Sequence, residues 1–382
     1  MKIQQAILAD AVRRLRKVAS ASANLPVFSH VRCTRDALGT HFVAADGDRY
    51  LTVTIPIEIG TSELSRKLAA LSLARECADF LVPIETLVQV AKAADKGSKV
   101  KIEAVGFSYV TGGIEANTAV ATDVPLTDFP ALPILSWHNE SVNADPFFKA
   151  VQEGLSHTST DESRYVLQGM NYTEKGEVVA TDGRRLYLRE GLPAIKDSCI
   201  IPIATCKLVE DGMNITFNKV DKDERRYIRF TKVSPSLTIR LTSHLVDGTF
   251  PNFRQVIPDP ESVKCKVQIN SIELAALLRK TRVGTESIRL EISPGQLTIK
   301  GKRGSFSVAA IVEGQLKPHG VDKKIQPYIC FNPDFFAEAL DVGLTRISFN
   351  DTLSSCFFTS PAKPSVKVVL MPKRVSVEEA AA

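Results

Sequence analysis

Most of the vocabulary that would mark an enzyme or a membrane protein is missing from these 382 residues. No Gly-x-x-x-x-Gly-Lys-Ser/Thr loop occurs, and GKRGS at 301–305 lacks the spacing, so nucleotide hydrolysis through a phosphate-cradling loop is excluded. His-Glu-x-x-His is absent, and the six histidines are scattered with none near a paired cysteine, which leaves no zinc site to expect. Gly-x-Ser-x-Gly is absent too, removing the nucleophile elbow of the hydrolases. The seven cysteines form no Cys-x-x-Cys pair, and their odd number reads as reduced, mostly buried thiols rather than a disulfide framework. No stretch approaches the ~20 apolar residues of a membrane span. MKIQQAILADAVRRLRKV also has polar residues where a secretory signal needs an apolar block, so a cytoplasmic protein with no membrane partner is expected. The net charge is only +5, from 48 basic and 43 acidic residues, so any polyanion partner must be read from where the charge sits.

What the chain does have is a pattern that returns three times: a hydrophobic residue, a helix-starting proline, then an amphipathic run. It reads LVPIETLVQVAKAADKG from Leu81, CIIPIATCKLVEDGM from Cys199 and CFNPDFFAEALDVG from Cys330. Proline suits the first turn because its missing N–H would be unpaired there in any case. Pro83, Pro202 and Pro333 are separated by 119 residues (83 to 202) and 131 residues (202 to 333). A second amphipathic run leads each unit: IQQAILADAVRRLRKV from Ile3, DPFFKAVQEGL from Asp145 and NSIELAALLRK from Asn270. FVAADGDRYL (42–51) and VVATDGRRLYL (178–188) share Ala-x-Asp-Gly-x-Arg, and LTDFPALP and DGTFPNFRQVIP both close a unit with Phe-Pro. The third unit has no clean copy of either and runs instead into VKVVLMPKRV. Two helices per unit and three units make an internal repeat at domain scale.

Between the helices, KVKIEAV, SLTIRLTS, SIRLEIS, QLTIKGK, SFSVAAIV and TRISFND read as short strands with period-2 alternation, bounded by turn residues. The expected fold class is therefore α+β, each unit packing two helices on antiparallel sheet. A chain of this length should split into two or three domains. The repeat sets them at 1–132, 133–256 and 257–382, with linkers near 130–139 and 257–264.

Basic residues gather on the expected helices: Arg13, Arg14, Arg16 and Lys17, then Lys92 and Lys96, Lys149, Lys207, and Arg279, Lys280 and Arg282. Any one group could be a solvated helix face, but recurrence in equivalent helices argues for a shared basic surface. The sixth helix breaks the pattern with Asp334, Glu338 and Asp341. Asp46, Asp48 and Asp182 could hold a divalent metal in a DNA-processing enzyme; beside glycine, Asp46 and Asp182 read better as turns between strands.

VVATDGRRLYLRE, LVDGTFPNFRQVIP and VVLMPKRV, with RYVLQGM ahead of the first, resemble the signature stretches of the bacterial sliding clamp, the beta subunit of DNA polymerase III. Order and spacing match, and the similarity runs from the N-terminus to Val375. The resemblance implies three clamp domains per chain and a head-to-tail homodimer ring of six domains, with helices lining the hole and strands outside. It implies a non-enzymatic processivity factor without metal or cofactor. Its partners would be double-stranded DNA, a second copy, the polymerase catalytic subunit, the clamp loader and other proteins carrying a clamp-binding motif. A specialised paralogue, serving a mobile element or repair, is the alternative within the family.

The resemblance also implies one peptide pocket per chain. Carried over residue by residue, it comprises Leu167; Thr181, Gly183, Arg184, Arg185 and Leu186; Pro251 and Val256; Asn332 and Phe335; Leu353; and Val369, Met371, Pro372 and Arg374. An apolar slot that includes methionine suits several hydrophobic anchors. The plain alternative for Leu186 and Met371 is that they are core residues. The DNA-facing set is Arg14, Lys17, Lys92, Lys149, Lys207, Lys280 and Arg282. Arg184 stands where the family often has His, Gln255 where it has Arg, Lys373 where it has Met, and Thr285 near an aromatic position. Residues 376–382 form a short tail beyond the similarity.

Overall fold

One order of elements, strand, helix, four strands, helix, three strands, runs twice along the computed structural model and a third time with a fifth strand between the helices. Residues 2–20, 22–36, 38–56, 79–138, 141–219, 226–281, 283, 286–316 and 328–374 are described. Arg282, Thr285 and the tail 376–382 lie outside them.

The first repeat is β1 (Lys2–Gln4), α1 (Gln5–Leu15), β2 (His30–Asp36), β3 (Gly39–Ala45), β4 (Arg49–Pro56), β5 (Asp79–Pro83), α2 (Ile84–Ala93), β6 (Lys99–Glu103), β7 (Gly106–Thr111) and β8 (Ile114–Ala119). The second is β9 (Val142–Asn143), α3 (Asp145–Gly154), β10 (Gly169–Tyr172), β11 (Val178–Thr181), β12 (Arg185–Arg189), β13 (Cys199–Pro202), α4 (Ile203–Cys206), β14 (Asn214–Phe217), β15 (Tyr227–Val233) and β16 (Thr238–His244). The third is β17 (Cys265–Gln268), α5 (Ser271–Thr281), β18 (Ile288–Ser293), β19 (Gln296–Gly301), β20 (Gly304–Ala309), β21 (Ile311–Gly314), β22 (Tyr328–Phe331), α6 (Pro333–Asp341), β23 (Arg346–Phe349), β24 (Cys356–Thr359) and β25 (Val366–Leu370). The α+β class and the strands expected from alternation are found.

Contacts gather these elements into two compact units. One comprises Met1–Asp145 with Leu208–Leu245, the other Pro146–Lys207 with Val246–Ala382, so the second repeat is divided between them. The first unit holds a sheet ordered β1-β6-β7-β8 and an eight-stranded sheet ordered β5-β2-β3-β4-β16-β15-β14-β9. The second holds a nine-stranded sheet ordered β13-β10-β11-β12-β25-β24-β23-β17-β21 and a sheet ordered β20-β19-β18-β22. Every pairing is antiparallel, and in each unit one sheet crosses a repeat boundary, at β4–β16 and at β12–β25.

Helices pack by their apolar stripes. In α1, Leu8, Ala11, Val12 and Leu15 recur at helical spacing and are buried, leaving Arg13 to solvent. In the second unit, Phe331, Phe336 and Phe358 pack in series with ring centroids 5.5 and 5.7 Å apart. Six of the seven cysteines fall in described residues, and all six are buried free thiols.

Three local expectations change. Pro333 does open its helix, whereas Pro83 and Pro202 each end a strand and precede the first helical residue. The run from Cys199 gives strand β13 and only four helical residues, because Cys199–Pro202 is drawn into a ladder with β10. SFSVAAIV is two strands: β20 pairs with β19, and after Ala310 the chain crosses to another sheet, where β21 pairs with β17.

Candidate peptide-binding site

The turn joining β11 to β12 is the local seed of the site. Asp182 Oδ1 accepts the backbone N–H of Arg184 at 2.8 Å and of Arg185 at 3.0 Å, and Gly183 takes the positive φ (+85°) that closes the turn. Thr181 Oγ1 accepts from Gly183 N at 3.0 Å and donates to the Arg185 carbonyl at 2.6 Å. Arg184 is exposed, and among described residues its side chain makes no hydrogen bond or ion pair.

Arg185 is the buried centre. Its Nε donates to Asp182 Oδ2 at 3.0 Å, Nη2 to the Ser156 carbonyl at 2.6 Å, and Nη1 to Glu338. The guanidinium carbon lies 4.1 Å from the centroid of Phe335 on α6. Asn332 caps that helix, accepting from Asp334 N at 2.9 Å and Phe335 N at 3.1 Å. Thus Thr181, Gly183, Arg185, Asn332 and Phe335 are brought together by one cation. Ser156 and Glu338 belong to the same arrangement; Ser156 carried no signal in the sequence, and Glu338 stood out only as an acid that broke the basic pattern.

Beside this turn, Leu186 pairs across the ladder with Val369, and both join Val179, Leu188 and Phe357 in a buried cluster. Phe250, Phe253, Val256, Ile257 and Val263 pack over it. With exposures of 2% and 1%, Leu186 and Val369 are a floor rather than a lining. The plain core reading holds for Leu186; Met371, 37% exposed, is surface. Met371 N donates to the Arg184 carbonyl at 2.9 Å, fixing it beside the turn. Leu353 is 44% exposed on a loop whose Ser355 Oγ donates to the Val256 carbonyl at 3.3 Å. Pro251 is exposed and Pro372 half-buried.

Leu167 is buried below its neighbour Arg164, which donates Nη1 to the Asp182 carbonyl at 3.2 Å. Arg374 is exposed, with no hydrogen bond or ion pair among described residues. Arg254 Nη2 donates to both oxygens of buried Glu177, at 2.6 and 2.7 Å, pinning the covering 253–256 segment to the sheet. The resulting surface offers apolar Met371, Leu353 and Pro251 over an apolar floor, with Arg184 at the rim. It can hold hydrophobic side chains next to acidic ones.

The basic residues divide by partner. Lys17, Lys92, Lys149, Lys207 and Lys280 are exposed on or beside helices. Arg14 is not free: Nε lies 3.2 Å from Asp10, and Nη1 pairs with Glu210. Burial works against its charge, while Glu210 and then Asp10 hold it on and raise its pKa. Two of the three acids that broke the pattern on α6 are paired within the chain, Glu338 with Arg185 and Asp341 with Arg279. Among described residues no cluster of His, Cys, Asp or Glu could hold a metal ion. Asp46 and Asp182 instead serve their turns; Asp46 Oδ1 accepts from Arg49 N at 2.9 Å. No helix among the described residues is long and apolar enough to cross a membrane.

No family profile matches the chain. Its sequence is nevertheless 24% identical over 405 residues to the beta sliding clamp of Caulobacter vibrioides, covering 98% of this chain and 100% of that protein. The beta sliding clamp homolog GriR of Streptomyces muensis is also 24% identical, over 98% of each. The Escherichia coli beta sliding clamp is 25% identical over 77% of this chain and 81% of its own length. Among solved structures, the DNA polymerase III subunit beta from Pseudomonas aeruginosa matches with a TM-score of 0.77 at 20% identity, covering 98% of this chain and 100% of that one. A sliding clamp from Bartonella birtlesii bound to griselimycin matches at 0.77 and 21% identity, over 98% and 99%. Along nearly its whole length, then, this chain is similar in sequence to bacterial beta sliding clamps, and it shares the fold of their solved structures.

Proposed function

We propose that this chain is the protomer of a DNA sliding clamp, a non-catalytic ring that encircles duplex DNA and tethers the replicative polymerase. One observation carries the reading: the way sheet edges are used. β4 pairs with β16 and β12 pairs with β25, in each case the third strand of one repeat's first sheet against the last strand of the next repeat. By the same rule β20 awaits a following repeat and β8 a preceding one, yet both are sheet edges among the described residues. Neither edge is guarded: β8 carries a single charged residue, Glu115, and β20 none, while Ile114 is largely exposed. Free edges of this kind invite pairing unless blunted by charge or proline. A second copy offers both partners, so head-to-tail closure at two chains follows the repeat bounds 1–132, 133–256 and 257–382.

Lys17, Lys92, Lys149, Lys207 and Lys280 then serve as phosphate contacts that read no sequence. Holding on is topological, so each contact can be weak. The surface formed by Met371, Leu353, Pro251 and Val256 docks short hydrophobic motifs of the polymerase, the clamp loader and other partners in turn. Sedimentation with and without nicked circular DNA tests the reading. A dimer that stays on closed circles and leaves when they are linearised is expected, as is stimulation of long-product synthesis only with a loader and ATP. A strict monomer at micromolar concentration, or retention that survives linearisation, would overturn it.

A further inference from the structure

We propose that the first unit carries a second docking site, for a short acidic peptide with hydrophobic anchors, centred on Arg229, Arg240 and Trp137. Arg229 on β15 stands opposite Thr242 of β16, which stands opposite Tyr50 of β4, so the three side chains share one sheet face. Arg240 lies on that face between Thr231 and Thr52. The Arg229 guanidinium carbon is 3.7 Å from the centroid of the Trp137 ring, and its Nε makes a long 3.4 Å hydrogen bond to Thr242 Oγ1. Among described residues no carboxylate pairs with either arginine. Burial first, and then the charge of Arg240, pushes the pKa of Arg229 down to about 10. It stays cationic at neutral pH, held in place by an aromatic ring and a hydroxyl, with no counter-charge among the described residues. Two such guanidinium groups on neighbouring strands, framed by threonines, are set up for carboxylates.

The apolar half of the site comes from the segment leading to Trp137. His138 N donates to the Phe217 carbonyl at 3.0 Å and Lys219 N to the Ser136 carbonyl at 2.7 Å, laying 136–138 beside β14, next to β15. Just ahead, Ile134 is fully exposed and Leu132 is 40% exposed. Apolar side chains in solvent beside cations that meet no described carboxylate are the complement of an acidic peptide with hydrophobic anchors. The equivalent ladder positions in the second unit are Val369 and Phe357, in place of Thr242 and Arg229, so the two sites select different ligands. This inference does not depend on peptide binding at Met371.

Trp137 is the single tryptophan of the chain, so intrinsic fluorescence reports on this place alone. The full-length protein would be titrated with a synthetic heptapeptide alternating glutamate with leucine and phenylalanine. A saturable change is expected, absent with the glutamine version of the peptide and unchanged by Met371→Ala. Arg240→Gln leaves the Arg229–Trp137 stack in place and should weaken binding by about fivefold. Ile134→Ser, at a fully exposed position, should weaken it as well. No saturable change, equal affinity in Arg240→Gln and wild type, or loss in Met371→Ala would overturn the proposal. Saturation by a thymidine oligonucleotide without any peptide response would overturn it in favour of a nucleic-acid contact.

Discussion

The two Asp-Gly turns are nearly the same object in different company. In the first unit Asp46 Oδ1 accepts from Arg49 N at 2.9 Å and Asp46 Oδ2 from Arg49 Nε at 2.7 Å; in the second, Asp182 accepts from Arg185 N at 3.0 Å and from its Nε at 3.0 Å. Both glycines have positive φ, +102° and +85°. Across the ladder the company changes. Tyr50 faces Thr242 and then Arg229, whereas Leu186 faces Val369 and then Phe357. Arg185 also reaches Ser156, Glu338 and Phe335. A turn of four residues is therefore a local device that can be copied, while the surface it supports depends on strands brought in from the next repeat.

The sharpest way to break the comparison is at the two arginines. Arg185→Ala removes a buried cation from between half-buried Asp182 and Glu338 and should cost about 2 kcal/mol, since its hydrogen bonds and its stack on Phe335 are lost together. Arg49→Ala, at a more exposed pair, should cost about 1 kcal/mol. Urea unfolding of both variants measures the difference, and equal losses would show that the wider network of Arg185 adds nothing.

Acid should act on the second unit through His157, which is fully buried beside Ser156 and packs on Tyr187 with centroids 5.8 Å apart. Burial first, then the charge of Arg185, pushes its pKa down to about 3. The unfolded chain takes up this proton below about pH 6.5, while the folded chain refuses it until about pH 3. Its contribution is complete above pH ~6.5 and drains at about 1.4 kcal/mol per pH unit as the pH falls towards 3. His157→Phe should flatten that part of the stability profile. An unchanged slope in the variant would remove His157 as its source.

The edges of β8 and β20 extend the comparison to a third junction, the one proposed between two chains. Ile114→Lys adds a charge to β8 and should weaken the dimer about tenfold, or ~1.4 kcal/mol, with monomer stability unchanged. Sedimentation equilibrium reads this directly, and an unaltered dimer constant would place the contact elsewhere. The smallest effect is expected at the peptide surface. Met371→Ala should cost about 1 kcal/mol of affinity for a labelled polymerase-derived peptide, roughly fivefold, and leave the dimer intact. Arg184→His should reduce the preference for acidic residues flanking the anchors. Equal peptide affinities for wild type and both variants would remove the site from Met371 and Arg184.

Much of this was legible in the chain because it is local. Asp-Gly-x-Arg states a turn, since the carboxylate two and three residues ahead of its N–H partners and the glycine φ need no distant help. Amphipathic spacing states α1, and alternation states strands such as β16 and β23. The core-or-pocket ambiguity of Leu186 and Met371 could not be settled that way. Both are apolar residues in strand-like stretches, and only the segment carrying Phe250 and Phe253 covers one and leaves the other in solvent. Arg14 has the same history. On its helix it looks like Lys17, but Glu210, which pairs with it, is 196 residues away.

By itself, then, the sequence determined the threefold repeat, the α+β class, the two Asp-Gly turns and the stretches that meet around Arg185 and Met371. These follow from side-chain period and turn chemistry, which act over a few residues. Tertiary structure alone decided that the second repeat is divided, that Pro202 ends a strand rather than opening a helix, and that β8 and β20 are edges among the described strands. It also decided that Arg185 is held by Glu338 and that Arg229 meets no carboxylate among the described residues. Each of these depends on which strands complete one another's hydrogen bonds and which charges meet across long separations. Backbone groups must find partners somewhere, but nothing in the local pattern says where.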